Sequence, residues 1–264
     1  MAPTMRGLKS EAAREWLQAG RSAVSMYGNF FFWLFREPFP RRQIGQQIVR
    51  VMLDAFGVIT IGALVQGMMY AWLAGWYGGK FSVINWSGAV VIYMLLSETT
   101  ILIAGVIFAS KIGTAFTVEI GSMQMSGQLD ALRLMAVEPV QYIVIPRVLA
   151  SIFCFIVLKT FSDGVAIGST ILFARWWFAI SIPIFTQHAF EILRHPILTT
   201  SFVRCALMAF FVSVTSCGLG FSFTGGAIEL GRTTTKSIVI NFITLLTVDW
   251  IYGMIDTLSG WSVV

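Results

Sequence analysis

The sequence predicts an all-α protein that crosses a membrane several times, and three observations carry that prediction. Hydrophobic residues make up 56% of the 264 positions and charged residues only 12%, about half the charged share of an ordinary soluble domain. Mean hydropathy is +0.78. The apolar residues also gather into runs that reach the roughly 20 residues a helix needs to cross a hydrocarbon layer. Such a chain has too little polar surface to coat a soluble globule.

The first element expected is an interfacial helix between Leu8 and Phe35. Basic residues there mix with Trp16, Phe30, Phe31, Phe32, Trp33 and Phe35 before Pro38 and Pro40 stop the run. It is too short to span, and aromatic-rich amphipathic segments favour the headgroup layer. Arg6, Lys9, Glu11, Arg14 and Glu15 interrupt any early apolar run, so no targeting peptide is read there. Residues 1–50 are taken as an N-terminal cytoplasmic and interfacial segment, and 51–264 as one transmembrane domain.

Five spans are expected, at Val51 to Leu73, Trp86 to Ala109, Val148 to Phe173, Phe202 to Phe223 and Ser237 to Leu258. An odd number puts the termini on opposite sides. With the N-terminus cytoplasmic, the inside holds Arg6, Lys9, Arg14, Arg21, Arg36, Arg41, Arg42, Arg50, Lys111, Arg133, Arg147, Arg232 and Lys236, against Lys80, Arg175, Arg194 and Arg204 outside. Thirteen against four obeys the positive-inside rule. The pI near 9.3 is explained by this topology, since no basic stripe interleaved with aromatics points to nucleic acid. Trp176 to His195, broken by Gln187, His188, Glu191 and Arg194, is expected as an outer interfacial helix or lid.

Little here resembles a catalytic apparatus. Gly75, Gly79 and Lys80 do not have phosphate-loop spacing, so any ATP must be handled by another subunit. His188 and His195 lie seven apart without a neighbouring thiol or HExxH pattern, which argues against a metal site. Cys154, Cys205 and Cys217 sit in apolar stretches and are expected as buried small hydrophobes. A membrane-embedded enzyme would need a convergent set of histidine, serine or carboxylate groups. No catalytic residue is therefore assigned.

Ionisable residues within spans are costly and stand out as functional candidates. Glu98 lies in the second span beside Ser97, Thr99 and Thr100, and is expected either to be satisfied by hydroxyls or a neighbouring helix, or to mark the substrate pathway. Lys159 and Asp163, four apart on the third span, share a helix face as an ion pair with a structural role. Asp249 and Asp256, seven apart on the fifth, are expected to face the bundle interior or an aqueous cavity, with the outer interface as the alternative for Asp256. Gly164 and Gly168 form a GxxxG pair that permits close helix contact.

The inside loop from Lys111 to Arg147 is the most informative stretch. Met125, Leu129, Leu132 and Ala136 follow an i, i+4, i+7, i+11 stripe, with Gln128, Asp130 and Arg133 away from it. This predicts a short amphipathic helix ended by Pro139. Its stripe suits lipid, the chain's own bundle, or the groove of a partner.

Across this loop the sequence resembles the MlaE/YrbE permease family, the membrane subunits of MCE-associated ABC lipid transporters. The resemblance is carried by Phe108 to Met123, with Thr114, Ala115, Glu119, Ile120 and Gly121 at motif positions, then Gln128 to Leu132, Met135 to Pro139, and Pro146-Arg147. Weaker similarity includes Gly231 to Thr235 and Thr247 to Asp249. The family's R-E-[LM]-[GA]-P motif is Ser97-Glu98-Thr99-Thr100-Ile101 here, its Glu before the loop Gln is Gly127, and its A-G is Ala109-Ser110. The resemblance implies a second permease copy, identical or a paralogue, ABC ATPase subunits that bind ATP and Mg, and an MCE-domain protein on the outer side. It also implies transport of phospholipid or a related lipid at a bacterial inner membrane, with the C-terminus periplasmic. Coupling to the ATPase would rest on Met125, Gln128, Leu129, Asp130 and Leu132, with Glu119, Gly121 and Arg147 at the root of the helix. A scaffold or channel without ATP coupling would have no need of such a helix.

Overall fold

In the computed structural model, residues 20–21, 24–34, 41–81, 84–186 and 197–259 are described. Among them there are helices and turns and no strand. Residues 24–34 form α1; α2 is Arg41–Lys80, α3 Ile84–Met94, α4 Thr100–Phe108, α5 Thr114–Met125 and α6 Gln128–Leu134. The rest are α7 (Ile145–Phe178), α8 (Ile182–Thr186), α9 (Ile197–Phe221) and α10 (Ala227–Ser259). Three π-helical turns, Leu95–Thr99, Ala109–Gly113 and Val140–Val144, lie beside these helices.

Five helical runs among the described residues are long and apolar enough to cross a membrane: Arg42–Lys80, Trp86–Met125, Val140–Phe178, Thr199–Phe221 and Ala227–Leu258. The expected spans fall within them, except that the fourth overruns α9 by two residues. Three of the runs hold 39 or 40 residues. At about 1.5 Å per residue each is roughly 60 Å long, twice the hydrocarbon thickness, so their polar ends extend beyond it. Position 50, the expected limit of the N-terminal segment, lies inside α2.

The chain divides into two compact units. The first comprises the described residues up to Gln47 with Ala109–Ala150 and Phe210–Thr244. Here α1 docks on α9: the Tyr27 hydroxyl donates to the Phe211 carbonyl (3.1 Å) and shares a hydrogen bond with Thr215 (2.7 Å), and the Phe30 and Phe210 rings stand 5.4 Å apart. Burial pushes the Tyr27 phenol up, and the Thr215 hydrogen bond acts against it. Of the expected interfacial helix, residues 8–19, 22–23 and Phe35 lie outside the described residues. Behind α1, Thr117 on α5 reaches the Ser216 carbonyl (3.0 Å) and the Ser237 hydroxyl (2.8 Å), while the Asn241 amide donates to Ser216 Oγ (2.8 Å). Hydroxyl and amide cross-links of this kind join helices where no hydrophobic force can act.

The second unit comprises Ile48–Phe108, Ser151–Ala209 and the described residues from Leu245 onward. Its core packs Ala63, Tyr70, Leu95, Leu96 and Ala166 together. Gly67 permits the closest approach, because a Cβ there would strike Ser169 and the Ala166 carbonyl; Thr170 Oγ1 donates to the Gly67 carbonyl across that contact (3.0 Å). The expected GxxxG pair does not serve this purpose: Gly164 and Gly168 have open space where a Cβ would stand. Part of the expected outer interfacial segment is α8, whose buried Phe185 lies against Gly88 of α3. Residues 187–196, with His188 and His195, lie outside the described residues. Cys154, Cys205 and Cys217 are buried free thiols, as expected.

Candidate functional site

Two arrangements bring the sequence-predicted residues together, one in each unit. In the second unit, α3 is interrupted by the π-turn Leu95–Thr99, which carries Glu98. Such turns disturb the helical ladder, and buried cations meet two carbonyls here. Arg204 of α9 donates from Nη1 to the Ser97 carbonyl (2.8 Å), and Lys159 of α7 makes a long bond to the Leu96 carbonyl (3.4 Å). Tyr70 adds a hydroxyl contact to Thr99 (2.6 Å).

Glu98 is satisfied by a neighbouring helix, one of the alternatives expected for it. Arg204 grips it through two nitrogens, Nη1 to Oε1 (3.1 Å) and Nη2 to Oε2 (2.7 Å), the fork geometry that suits a carboxylate. The same guanidinium donates from Nε to Asp249 Oδ1 of α10 (2.6 Å) and approaches that oxygen through Nη2 (2.5 Å), while Tyr252 lies 5.9 Å away as a cation–π neighbour. Arg204 was placed outside the membrane by the charge tally and instead lies within α9, buried, seven residues past the helix start. A charge this deep is tolerated because two carboxylates and a carbonyl satisfy it. The signal was present in the sequence, since an arginine among Phe202, Val203 and Cys205 needs a partner.

These three charges line one wall of a cavity of about 830 Å³, completed by Leu246, Trp250, Gly253, Met254, Thr257 and Leu258 of α10. The volume is within the range of small-ligand pockets, and most of the lining is apolar. The Glu98 side chain is 55% exposed toward this space, whereas those of Arg204 and Asp249 are 6% and 12% exposed. Lys159 and Asp163 form the expected pair at 2.6 Å, wholly buried, with Ser201 Oγ 2.5 Å from Nζ. They are not among the cavity-lining residues.

In the first unit, Arg147 Nη2 of α7 meets Glu119 Oε2 of α5 at 2.8 Å, with the Arg147 guanidinium over the Phe116 ring (5.5 Å). Gly121 sits against Leu230, which a Cβ would strike. The helix between them differs from expectation. Gly127 takes the left-handed conformation (φ 72°), so Met125 ends α5 while Leu129 lies in the first turn of α6, and the four-residue stripe is not one helix face. Nor does Pro139 end α6. Ala136 turns left-handed (φ 58°), its N–H reaches the Arg133 carbonyl (3.0 Å), and the Val137 N–H reaches Leu132 (3.0 Å), which together form a Schellman cap.

The break changes which apolar groups are available. Leu129 is fully buried and Leu132 is half-buried. Leu134 and Met135, which the stripe omitted, are 89% and 65% exposed, with Met125 at 50%. Gln128 is exposed, and Asp130 and Arg133 pair at 3.2 Å on the solvent side.

The sequence model for Permease MlaE matches residues 44–255. The chain is 26% identical over 239 residues to the chloroplastic protein trigalactosyldiacylglycerol 1 of Arabidopsis thaliana, covering 90% of this chain and 68% of that protein. It is 25% identical over 255 residues to a probable ABC transporter permease protein of Synechocystis, covering 93% and 95%. A probable ABC transporter permease protein of Rickettsia typhi is 26% identical over 214 residues, 81% and 82% of the two chains. With a match over four-fifths of its length and a membrane-crossing helical fold, the chain belongs to the MlaE permease family.

Proposed function

We propose that this chain is the permease subunit of an ABC transporter that moves phospholipid or a related lipid between a bacterial inner membrane and an MCE-domain partner. The observation that carries the reading is the cavity beside α10, which combines an apolar lining with the Glu98–Arg204–Asp249 cluster, its guanidinium buried and Glu98 open to the space. Apolar wall and charged patch match the two ends of an amphiphile. The Arabidopsis relative is named for a diacylglycerol lipid, which supports the same reading.

Separate ATPase subunits bind ATP and Mg and supply the energy. The hairpin from Glu119 to Arg147 is the coupling element, with Gly121 seating α5 and the exposed Met125, Gln128, Asp130, Leu134 and Met135 facing the ATPase. Leu129 and half-buried Leu132 hold α6 to its own unit. A second copy of the chain, or a paralogue, pairs through the exposed apolar face of α10, the least buried of the five spans. Five spans put the termini on opposite sides, and with Arg204 removed from the outside tally thirteen basic residues oppose three. The N-terminus is therefore cytoplasmic and the C-terminus periplasmic. No residue acts as acid, base or nucleophile. The test is co-purification of an ATPase subunit followed by ATP-dependent lipid movement in proteoliposomes; a chain that assembles with no ATPase is a scaffold or channel and ends this reading.

A further inference from the structure

We propose that the cavity beside α10 receives the ammonium group of a zwitterionic lipid headgroup in preference to a bare phosphate. The inference rests on the lipid reading above and specifies its substrate class. Three features of the wall support it.

The first is the donor inventory of Arg204. A guanidinium has five N–H donors. Four hydrogen bonds occupy donors here, Nε to Asp249, Nη1 to the Ser97 carbonyl and Glu98, and Nη2 to Glu98, and Nη2 also stands 2.5 Å from Asp249 as an ion-pair contact. Arg204, the cation among the described lining residues, therefore has its donors turned to its own carboxylates and a carbonyl rather than to a phosphate. To bind one, it would have to release Glu98 or Asp249, leaving that carboxylate without its counter-ion at membrane depth.

The second feature is charge. Among the described residues, Glu98, Arg204 and Asp249 are the charged ones in the lining, and two carboxylates against one guanidinium leave that wall net negative. Glu98 is half-exposed to the cavity and keeps acceptor capacity beyond its two bonds to Arg204. The third feature is Trp250, which lines the same space and is 67% exposed. An indole face beside carboxylates is the chemistry that recognises ammonium.

Native mass spectrometry of the purified full chain tests this, with phosphatidylethanolamine, phosphatidylglycerol and phosphatidic acid carrying identical palmitoyl and oleoyl chains in equimolar competition. Phosphatidylethanolamine is expected to exceed phosphatidic acid by about tenfold, the effect of roughly one charge-assisted hydrogen bond. Glu98→Gln should lower it toward the other two without reducing their binding. Phosphatidic acid bound equally or more strongly by the wild-type chain overturns the ammonium assignment and leaves the lipid cavity standing. A separate variant tests the cavity itself: Gly253 lines the cavity and has open space where a Cβ would stand, so Gly253→Trp places a large side chain in that space. If Gly253→Trp leaves binding of all three lipids unchanged, both the cavity and the lipid reading fail. Glycerophosphoethanolamine, the same headgroup without acyl chains, should not compete at equal concentration; full competition would make the ligand a soluble amine and overturn the lipid class.

Discussion

Arg147 and Glu119 are 28 positions apart in the chain and 2.8 Å apart in space, and their contact closes the base of the α5–α6 hairpin. Arg147 is almost wholly buried, so its contact with Glu119 offsets part of the cost of burying its charge. Arg147→Ala should leave the ATPase partner bound but make ATP turnover insensitive to lipid, and the exchange Glu119→Arg with Arg147→Glu should restore part of the response. Lipid-stimulated ATPase assays in proteoliposomes check both; full stimulation in Arg147→Ala would remove the pair from coupling.

The exposed end of α6 makes a separable prediction. Burying one apolar side chain in a partner contributes roughly 1.5 to 3 kcal/mol, so a charge there should weaken docking tenfold or more. Leu134→Asp and Met135→Asp should give a folded, membrane-inserted permease that loses the ATPase on purification. Leu129→Asp, in contrast, should abolish expression, because Leu129 is fully buried within the chain itself. Stoichiometric ATPase retained by the Leu134→Asp Met135→Asp double variant would sink the docking assignment.

Much of this fold was legible from hydropathy alone, because an apolar run above about 20 residues leaves few alternatives to a spanning helix. Lys159 and Asp163 were legible because an i, i+4 pair is local. The Glu98–Arg204–Asp249 cluster was not, because its members are separated by 106 and 45 positions and no local periodicity links them. The α6 stripe misled for a different reason. Gly127 is the residue that breaks the helix, and reading the period through it joined Met125 to a face it does not share. Ala136 gave no warning at all, since alanine is the strongest helix former and yet occupies a left-handed cap.

That cap yields a third prediction. A left-handed non-glycine residue carries about 1 to 2 kcal/mol of strain, which glycine relieves while adding some unfolded-state entropy. Ala136→Gly should therefore slow hydrogen exchange at the Ala136 and Val137 amides by several-fold. Faster exchange there would contradict the cap geometry.

Lys159 and Asp163 offer a fourth. Removing one member of a wholly buried pair is strongly destabilising, while replacing both with apolar groups is often near neutral. Lys159→Met should lower the melting temperature markedly, and Lys159→Met with Asp163→Leu should recover most of it. The double variant should still show weakened lipid stimulation, since the Leu96 carbonyl of the Glu98 turn loses its donor. Wild-type stimulation in a stable double variant would mean that the π-turn needs no clamp from Lys159.

The central claim is that lipid passes through the cavity beside α10, and ATP-dependent lipid movement in proteoliposomes containing Gly253→Trp permease with its ATPase tests it most directly. The account predicts an assembled complex with ordinary basal ATP turnover and lipid movement reduced to background. Lipid movement at the wild-type rate in that complex would contradict it.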